Sequence, residues 1–399
     1  MLNAPVNNQP TTKPSTTIPP PIMSPSKISP EAKSRTPIRL TNPTIPLGSL
    51  ILVTGANGLN AAHATNQLLE AGYRVRGTVR SIKKSGFLTD FFAAKTKSPN
   101  DFSLIEIPDY TVPGAWDDAV RGVAGIVHVV GATDVYPVDV DKSAAEELKW
   151  QIGLLEAARR AGTVKSFVLT SSAWAAWTPN ASRKVTLGPE SWNDEAVALA
   201  RDKTIDSSKK GLSGFMALKT LVERGVWEWV NREKPDFAFN TMLLDTVIGE
   251  VLDPVHQGMP STAGMTHWIW ENKNHEVLNG MQPQWHVDTR DAGKLFVAAL
   301  ASSPQVDRER IYVYGARCSW FRVAEILREE YPDHKNMATL RDNGWDQTEV
   351  PNQRGEELLR RVGQEGWTSL EDSVRENAKS WFKLEGKSVS DDRYSKLGV

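Results

Sequence analysis

The run Leu50-Ile51-Leu52-Val53-Thr54 opens directly onto Gly55-Ala56-Asn57-Gly58-Leu59-Asn60-Ala61, and this junction constrains the fold more than any other stretch. A short continuous apolar run reads as a strand buried on both faces. A glycine at its end permits a tight turn, and the second glycine lets a pyrophosphate approach the backbone. Small Ala61 lets a helix pack close, and the N–H groups at a helix N-terminus attract an anion. Residues 61–71 read as that helix, with Gly72 placed just past its end, and residues 74–79 read as a second strand. The three pieces make a βαβ unit. Inside such a unit the glycine spacing points to a dinucleotide far more specifically than it does alone.

The rest of the chain repeats the alternation. Strand-like runs at 103–107, 125–130 and 166–170 are separated by helical stretches such as 143–161. This predicts an α/β fold, a Rossmann-type doubly wound parallel sheet with helices on both faces. Residues 216–231 form a further helical stretch, with Val222, Val226, Trp229 and Val230 on one stripe. Beyond Asp245 the pattern loosens into loops at 253–283, a helix at 291–301, a strand at 311–314 and short helices to Phe382. The expected division is a dinucleotide-binding domain over 49–250 and a smaller substrate-binding lobe over 251–385. That lobe covers the open end of the sheet and returns some chain to the first domain.

Residues 1–48 carry 11 of the chain's 24 prolines and read as a disordered tail, and residues 386–399 as a flexible one. The prolines at 19, 20 and 21 interrupt any secretory apolar core. The first 48 residues have five Lys/Arg against one acid, which leaves −5 for the remainder of a chain whose net charge is −1. That balance gives no reason to expect a nucleic-acid surface. A single cysteine, Cys318, excludes an internal disulfide framework and fits a reducing, cytoplasmic setting. No apolar run approaches the ~20 residues of a membrane span.

The end of the second strand separates the two nicotinamide dinucleotides. An acid there binds ribose hydroxyls; here stand Thr78, Val79 and Arg80, with Lys83 and Lys84 beyond. Arg80 suits a 2′-phosphate, which a guanidinium grips bidentately, so the reading is NADP(H). Each lysine reads equally well as a solvated charge.

LILVTGANGLNAAHATNQLLEAGYRVRGTVRS, SFVLTSSAW, ALKTLVERGVWEWV and GWTSLEDSV resemble the extended short-chain dehydrogenase/reductases. Within them the chain is most similar to the dihydroflavonol reductase and fungal aldehyde (carbonyl) reductase branch, over about Leu50 to Phe382. The resemblance implies NADPH, reduction of a ketone or aldehyde on a small organic molecule, a monomer or homodimer, and a setting in secondary metabolism. It assigns the cofactor to Gly55, Ala56, Asn57, Gly58, Leu59, Arg80, Lys83, Asp109, Val130 and Lys219. Asp109 matches an acid that contacts adenine.

The family's chemistry uses serine, tyrosine and lysine. Ser172 matches the serine and Lys219 the lysine, but the tyrosine position holds Phe215. A phenyl ring has no proton to give. Further departures are Leu244 for a usual proline, Trp150-Gln151-Ile152-Gly153 for a Gly-Thr-x-Asn stretch, and Gly131 for a usual serine or threonine. Two functions follow: an NADPH-dependent carbonyl reductase with an atypical proton relay, or a non-redox isomerase, dehydratase or cyclase with NADP(H) retained or lost. A third is a silent binding protein. Substitute donors are Ser172, a water held by Lys219, or Tyr136; Tyr136 and Asp134 otherwise read as ordinary loop residues.

Trp174, Trp177, Trp192, Trp268, Trp270 and Trp285 fall in segments that shape the substrate side. Aromatic walls suit a flat, apolar, polyketide-like substrate, though most such residues serve a core. An extended Trp268-Ile269-Trp270 would put both rings on one side. His267 and His275 lack metal-ligand spacing, so no metal is expected. His63 and Glu223 read as structural, Glu223 as a packing or salt-bridge residue, and Cys318 has no assigned role.

Overall fold

The computed structural model describes residues 36–96, 98–131, 135–206 and 209–384. Its centre is a parallel sheet of seven strands in the order β3-β2-β1-β4-β5-β6-β9. These are β1 (Leu50–Val53), β2 (Arg74–Val79), β3 (Phe102–Glu106), β4 (Gly125–His128), β5 (Ser166–Ser172), β6 (Ala238–Leu244) and β9 (Arg310–Val313). Strand order reverses between β1 and β4, which opens a crevice at their carboxyl ends. In register, Val53 pairs with Val127, and Ser172 at the end of β5 pairs with Leu244.

Helices cover both faces. On one lie α1 (Leu59–Glu70) and α5 (Thr289–Ala301). They approach so closely that a Cβ on Gly293 would stand 2.9 Å from the His63 carbonyl oxygen. On the other lie α2 (Val140–Ala161) and α3 (Ser213–Glu233), where Trp150, Leu154, Val226 and Val230 pack with Leu52, Ile126 and Phe167. His63 is buried, its Nε2 donating to the Glu250 carbonyl at 2.7 Å, and burial lowers its pKa.

After Leu244 the chain crosses at Asp245 into a second sheet, ordered β10-β8-β7, of β7 (Thr246–Ile248), β8 (Gln284–Asp288) and β10 (Ala316–Cys318). The helices α4 (Ser261–Trp270) and α6 (Leu370–Phe382) flank it. One buried cluster runs from Val53 and Leu68 through Leu295 and Leu300 to Val374 and Trp381. The later chain therefore shares its core with the glycine-loop half.

Two expectations need correction. Residues 36–48 are tied to the fold at several points, although most of their side chains are exposed. Ile45 is fully buried, Tyr73 donates to its carbonyl at 3.0 Å, the Thr44 N–H donates to Ala301, and Lys294 donates to the Thr36 carbonyl. Prolines suit an extended segment, and Ile38, Leu40 and Ile45 supply enough apolar surface to hold it. Residues 1–35 and 385–399 lie outside the described residues, as does Asp134.

The second correction concerns Trp268-Ile269-Trp270, which is helical, closing α4. Residues two apart on a helix point in roughly opposite directions. Trp268 enters the core, while Trp270 stacks on His334 with ring centroids 3.9 Å apart.

Candidate active site

The turn after β1 is set by backbone. Gly55 has φ +67°, and a Cβ there would meet Val130 Cγ2 at 2.7 Å. The Gly58 N–H closes the loop on the Gly55 carbonyl at 2.8 Å. Neighbouring strand β2 holds it from below: Gly55 N–H donates to Thr78 Oγ1 at 3.0 Å and Ala56 N–H to the Thr78 carbonyl. A side chain at Gly77 would press within 2.6 Å of Ala56 Cβ. From the later chain, Gln257 Nε2 donates to the Asn57 carbonyl at 3.1 Å.

Thr54 Oγ1 ties β1 to β4, accepting from the Val129 and Val130 amides and lying 2.8 Å from His128 Nδ1. Burial pushes the His128 imidazole down to about 3, so it is neutral.

The first turn of α1 has no side-chain cap and no acid, which leaves its N–H groups to an anion. Asn60 Oδ1 is buried without a hydrogen-bond partner among the described residues. A left-handed glycine turn, an uncapped helix start and an orphaned acceptor beside it fit a dinucleotide. Arg80, Lys83 and Asp109 are exposed beyond β2 and β3. The Asp109 carboxylate accepts from the side chain and amide of Thr111, at 2.6 and 2.8 Å, which lowers its pKa.

A cavity of about 690 Å³ opens at the ends of β5 and β6 and brings together Ser172, Phe215 and Lys219. Ser172 Oγ accepts from the Trp174 amide at 3.2 Å. Phe215 and Lys219 stand one turn apart on α3, with the Lys219 Nζ 5.2 Å from the ring centroid. Trp174 meets Phe215 edge-on at 5.8 Å and donates through Nε1 to Gln284. Tyr136, half exposed, also borders the space. Of the six tryptophans singled out by sequence, Trp174 is the one on the cavity wall. Trp177 and Trp285 pack in a separate buried cluster, and Trp192 lies under Arg310 at 3.8 Å.

Glu223 also reaches the cavity, but its carboxylate is bound by Arg310, Ser171, Thr241 and Trp227. It is a buried ion-pair hub. Gly55, Arg80, Lys83 and Asp109 do not border this cavity; they lie toward β1–β3, along the same carboxyl edge of the sheet. Cys318 is buried, and burial pushes its thiol up.

Sequence reading missed Asp245 and Glu147, both on the cavity wall. Asp245 accepts from the Thr246 amide at 2.8 Å and the Trp285 amide at 3.1 Å. Burial nonetheless pushes its carboxyl up to about 7. The available signal was an acid placed directly after Met242-Leu243-Leu244. Glu147, on α2, accepts from Gln151 at 3.1 Å. In sequence it is one of several charges on a long helix.

Among the described residues no helix is long and apolar enough to cross a membrane. The chain is 33% identical to aldehyde reductase 2 of Sporidiobolus salmonicolor, over 85% of this chain and 97% of that protein. It is 33% identical to the ketoreductase adrE of Penicillium rubens, over 84% and 96%. The fold matches the structure of Gre2 in complex with NADPH from Candida albicans, with a TM-score of 0.70 and 21% identity over 85% of this chain and 99% of that one. The sequence profile of the NAD dependent epimerase/dehydratase family matches residues 51–315, from β1 through β9. By this match and these relatives, the chain belongs to the NAD dependent epimerase/dehydratase family.

Proposed function

We propose that the chain is an NADPH-dependent carbonyl reductase acting on a ketone or aldehyde of a small, aromatic or polyketide-like metabolite. In this reading Phe215 stands where the family places its tyrosine. The observation that carries it is the meeting of Ser172 and Lys219 on one cavity wall, beside a glycine turn shaped for a dinucleotide. Relatives that are an aldehyde reductase and a ketoreductase support the reaction class.

The amides from Gly55 to Leu59 would hold the pyrophosphate, with Val130 closing the turn. Arg80 and Lys83 would meet the 2′-phosphate, Asp109 would lie toward adenine, and Lys219 would hold the nicotinamide ribose. Bound there, NADPH supplies a hydride. Ser172 steadies the substrate oxygen by its hydroxyl. Trp174 and Phe215 give the substrate an apolar wall. Phe215 cannot donate a proton, and a positioned general acid supplies ~10²–10⁴-fold, or about 3–5 kcal/mol of barrier. The expected enzyme is a slow one whose proton comes from elsewhere in the cavity.

The test is to mix purified protein with NADPH and a panel of activated ketones and aldehydes, following nicotinamide absorbance. Slow oxidation of NADPH with formation of the alcohol is expected. Tight binding of NADPH with no oxidation across the panel rejects the reading in favour of non-redox chemistry.

A further inference from the structure

Three departures from the family's sequence pattern, Gly131, Gln151 and Phe215, line the cavity together with Glu147. Gly131 follows β4, Glu147 and Gln151 project from α2, and Lys219 comes from α3, one turn beyond Phe215. A Cβ built on Gly131 would stand 3.0 Å from Lys219 Nζ and 3.4 Å from Glu147 Oε1. The ammonium and the carboxylate therefore flank the space that a serine or threonine at 131 would fill. Glu147 is only 3% exposed, and its Oε1 accepts from Gln151 Nε2. A buried carboxylate is costly unless an opposite charge faces it. Lys219 is the cation on the other side of this gap, and the face of the Phe215 ring is all that position 215 offers it.

We propose that Glu147 has replaced the tyrosine hydroxyl as the partner of Lys219, and that Lys219 Nζ hands the proton to the substrate oxygen. This rests on the reductase reading above. As hydride reaches the carbonyl carbon and NADPH is oxidised to NADP⁺, one Nζ–H bond breaks and an O–H bond forms. The carbonyl is thereby reduced to the alcohol. The amine is left neutral, and a proton from water returns it to the ammonium. Glu147 touches neither substrate nor cofactor in this scheme. It is a positioning residue that keeps the ammonium in the cavity, and Gly131 provides the room.

Glu147→Gln keeps the shape and removes the charge. Turnover on an activated ketone should fall about a hundredfold, within the range for a positioned acid, while the affinity for NADPH, read from tryptophan fluorescence, changes little. Glu147→Asp should retain part of the rate. Adding Phe215→Tyr to the Glu147→Gln chain should restore turnover, because a hydroxyl resumes the role; a purely structural Glu147 would not be rescued this way.

Binding gives a readout independent of turnover. Gly131→Ser, which puts atoms between Lys219 and Glu147, should weaken NADPH binding, and the size of that loss should differ in the Glu147→Ala background, as coupled neighbours do. Two results overturn the inference while leaving the reductase reading intact. One is a Glu147→Gln rate close to native; the other is simple additivity of the Gly131 and Glu147 effects. A native chain that binds NADPH and reduces nothing overturns the reductase reading, and the proton step with it.

Discussion

Between β1 and β4 the crevice wall is backbone, and between β5 and α3 it is side chain. The first wall rests on the φ of Gly55, the closeness of Val130 and the amides held by Thr54 and Thr78. The second rests on Ser172, Phe215, Lys219, Glu147 and Asp245. A backbone wall is fixed by strand geometry, and nearly any change at its glycines breaks it. A side-chain wall can exchange a hydroxyl for a ring and still stand, provided another group takes up the chemistry. The contrast is sharpened or broken by four measurements.

The largest effect is expected on the backbone wall. Gly55→Val faces both a positive φ and a contact at 2.7 Å. NADPH affinity, measured by tryptophan fluorescence, should fall on the order of a hundredfold or more, with strain of ~1–3 kcal/mol from the conformation alone. Retained binding in that variant would mean the turn is not the cradle. On the other wall, Phe215→Tyr should raise ketone-reducing turnover about ten- to a hundredfold, the lower part of what a general acid supplies. A flat response would show that the cavity has moved further from the family's chemistry than one hydroxyl.

Arg80→Ala bears on the far end of the cradle. Losing a charge-assisted contact of ~1.5–3 kcal/mol should cut the preference for NADPH over NADH about tenfold. Equal losses for both cofactors would remove the 2′-phosphate assignment.

The smallest effect concerns stability. The Asp245 carboxyl keeps its proton up to about 7 in the fold, whereas an unfolded chain releases it near ~3.9. Between those values the native state binds more protons, so this group's contribution falls as pH rises. Asp245→Asn should therefore gain on the native chain from about pH 4 to pH 7, by at most ~1.4 kcal/mol per pH unit, and level off above. Urea unfolding of both chains across that range reads the difference directly. His128 acts in the opposite sense: it stays neutral down to about 3, so its contribution is lost as pH falls below ~6.5. The comparison of two chains cancels it.

The glycine turn was legible because its constraint is written in residue identity: only glycine takes φ +67° without strain. Six of the seven sheet strands were legible from their runs, the central ones because burial on both faces leaves no alternation to misread, while β6, fully buried, went unread. Gly77 carries as strict a constraint, but its cause is Ala56 on the neighbouring loop, and strand pairing is invisible in a linear reading. Trp268-Ile269-Trp270 was misread because a short apolar run has no period of its own. Ser172 and Lys219 were placed through the resemblance, with Phe215 between them in the chain. Glu147 escaped because α2 carries Asp141, Lys142, Glu146 and Lys149 around it, and only packing tells the buried charge from the solvated ones.

The segment before β1 has a practical consequence for anyone trimming this protein. Composition invites a cut at residue 48, yet the Ile45 side chain is fully buried against Gly125 beside Leu300, and its carbonyl accepts from Tyr73. A shortened form starting at Ser49 would uncork the hub of the glycine-loop half, forfeiting about 2–5 kcal/mol at that one side chain. Any trimmed form has to keep the chain from Thr36 onward, since the Thr36 carbonyl anchors Lys294.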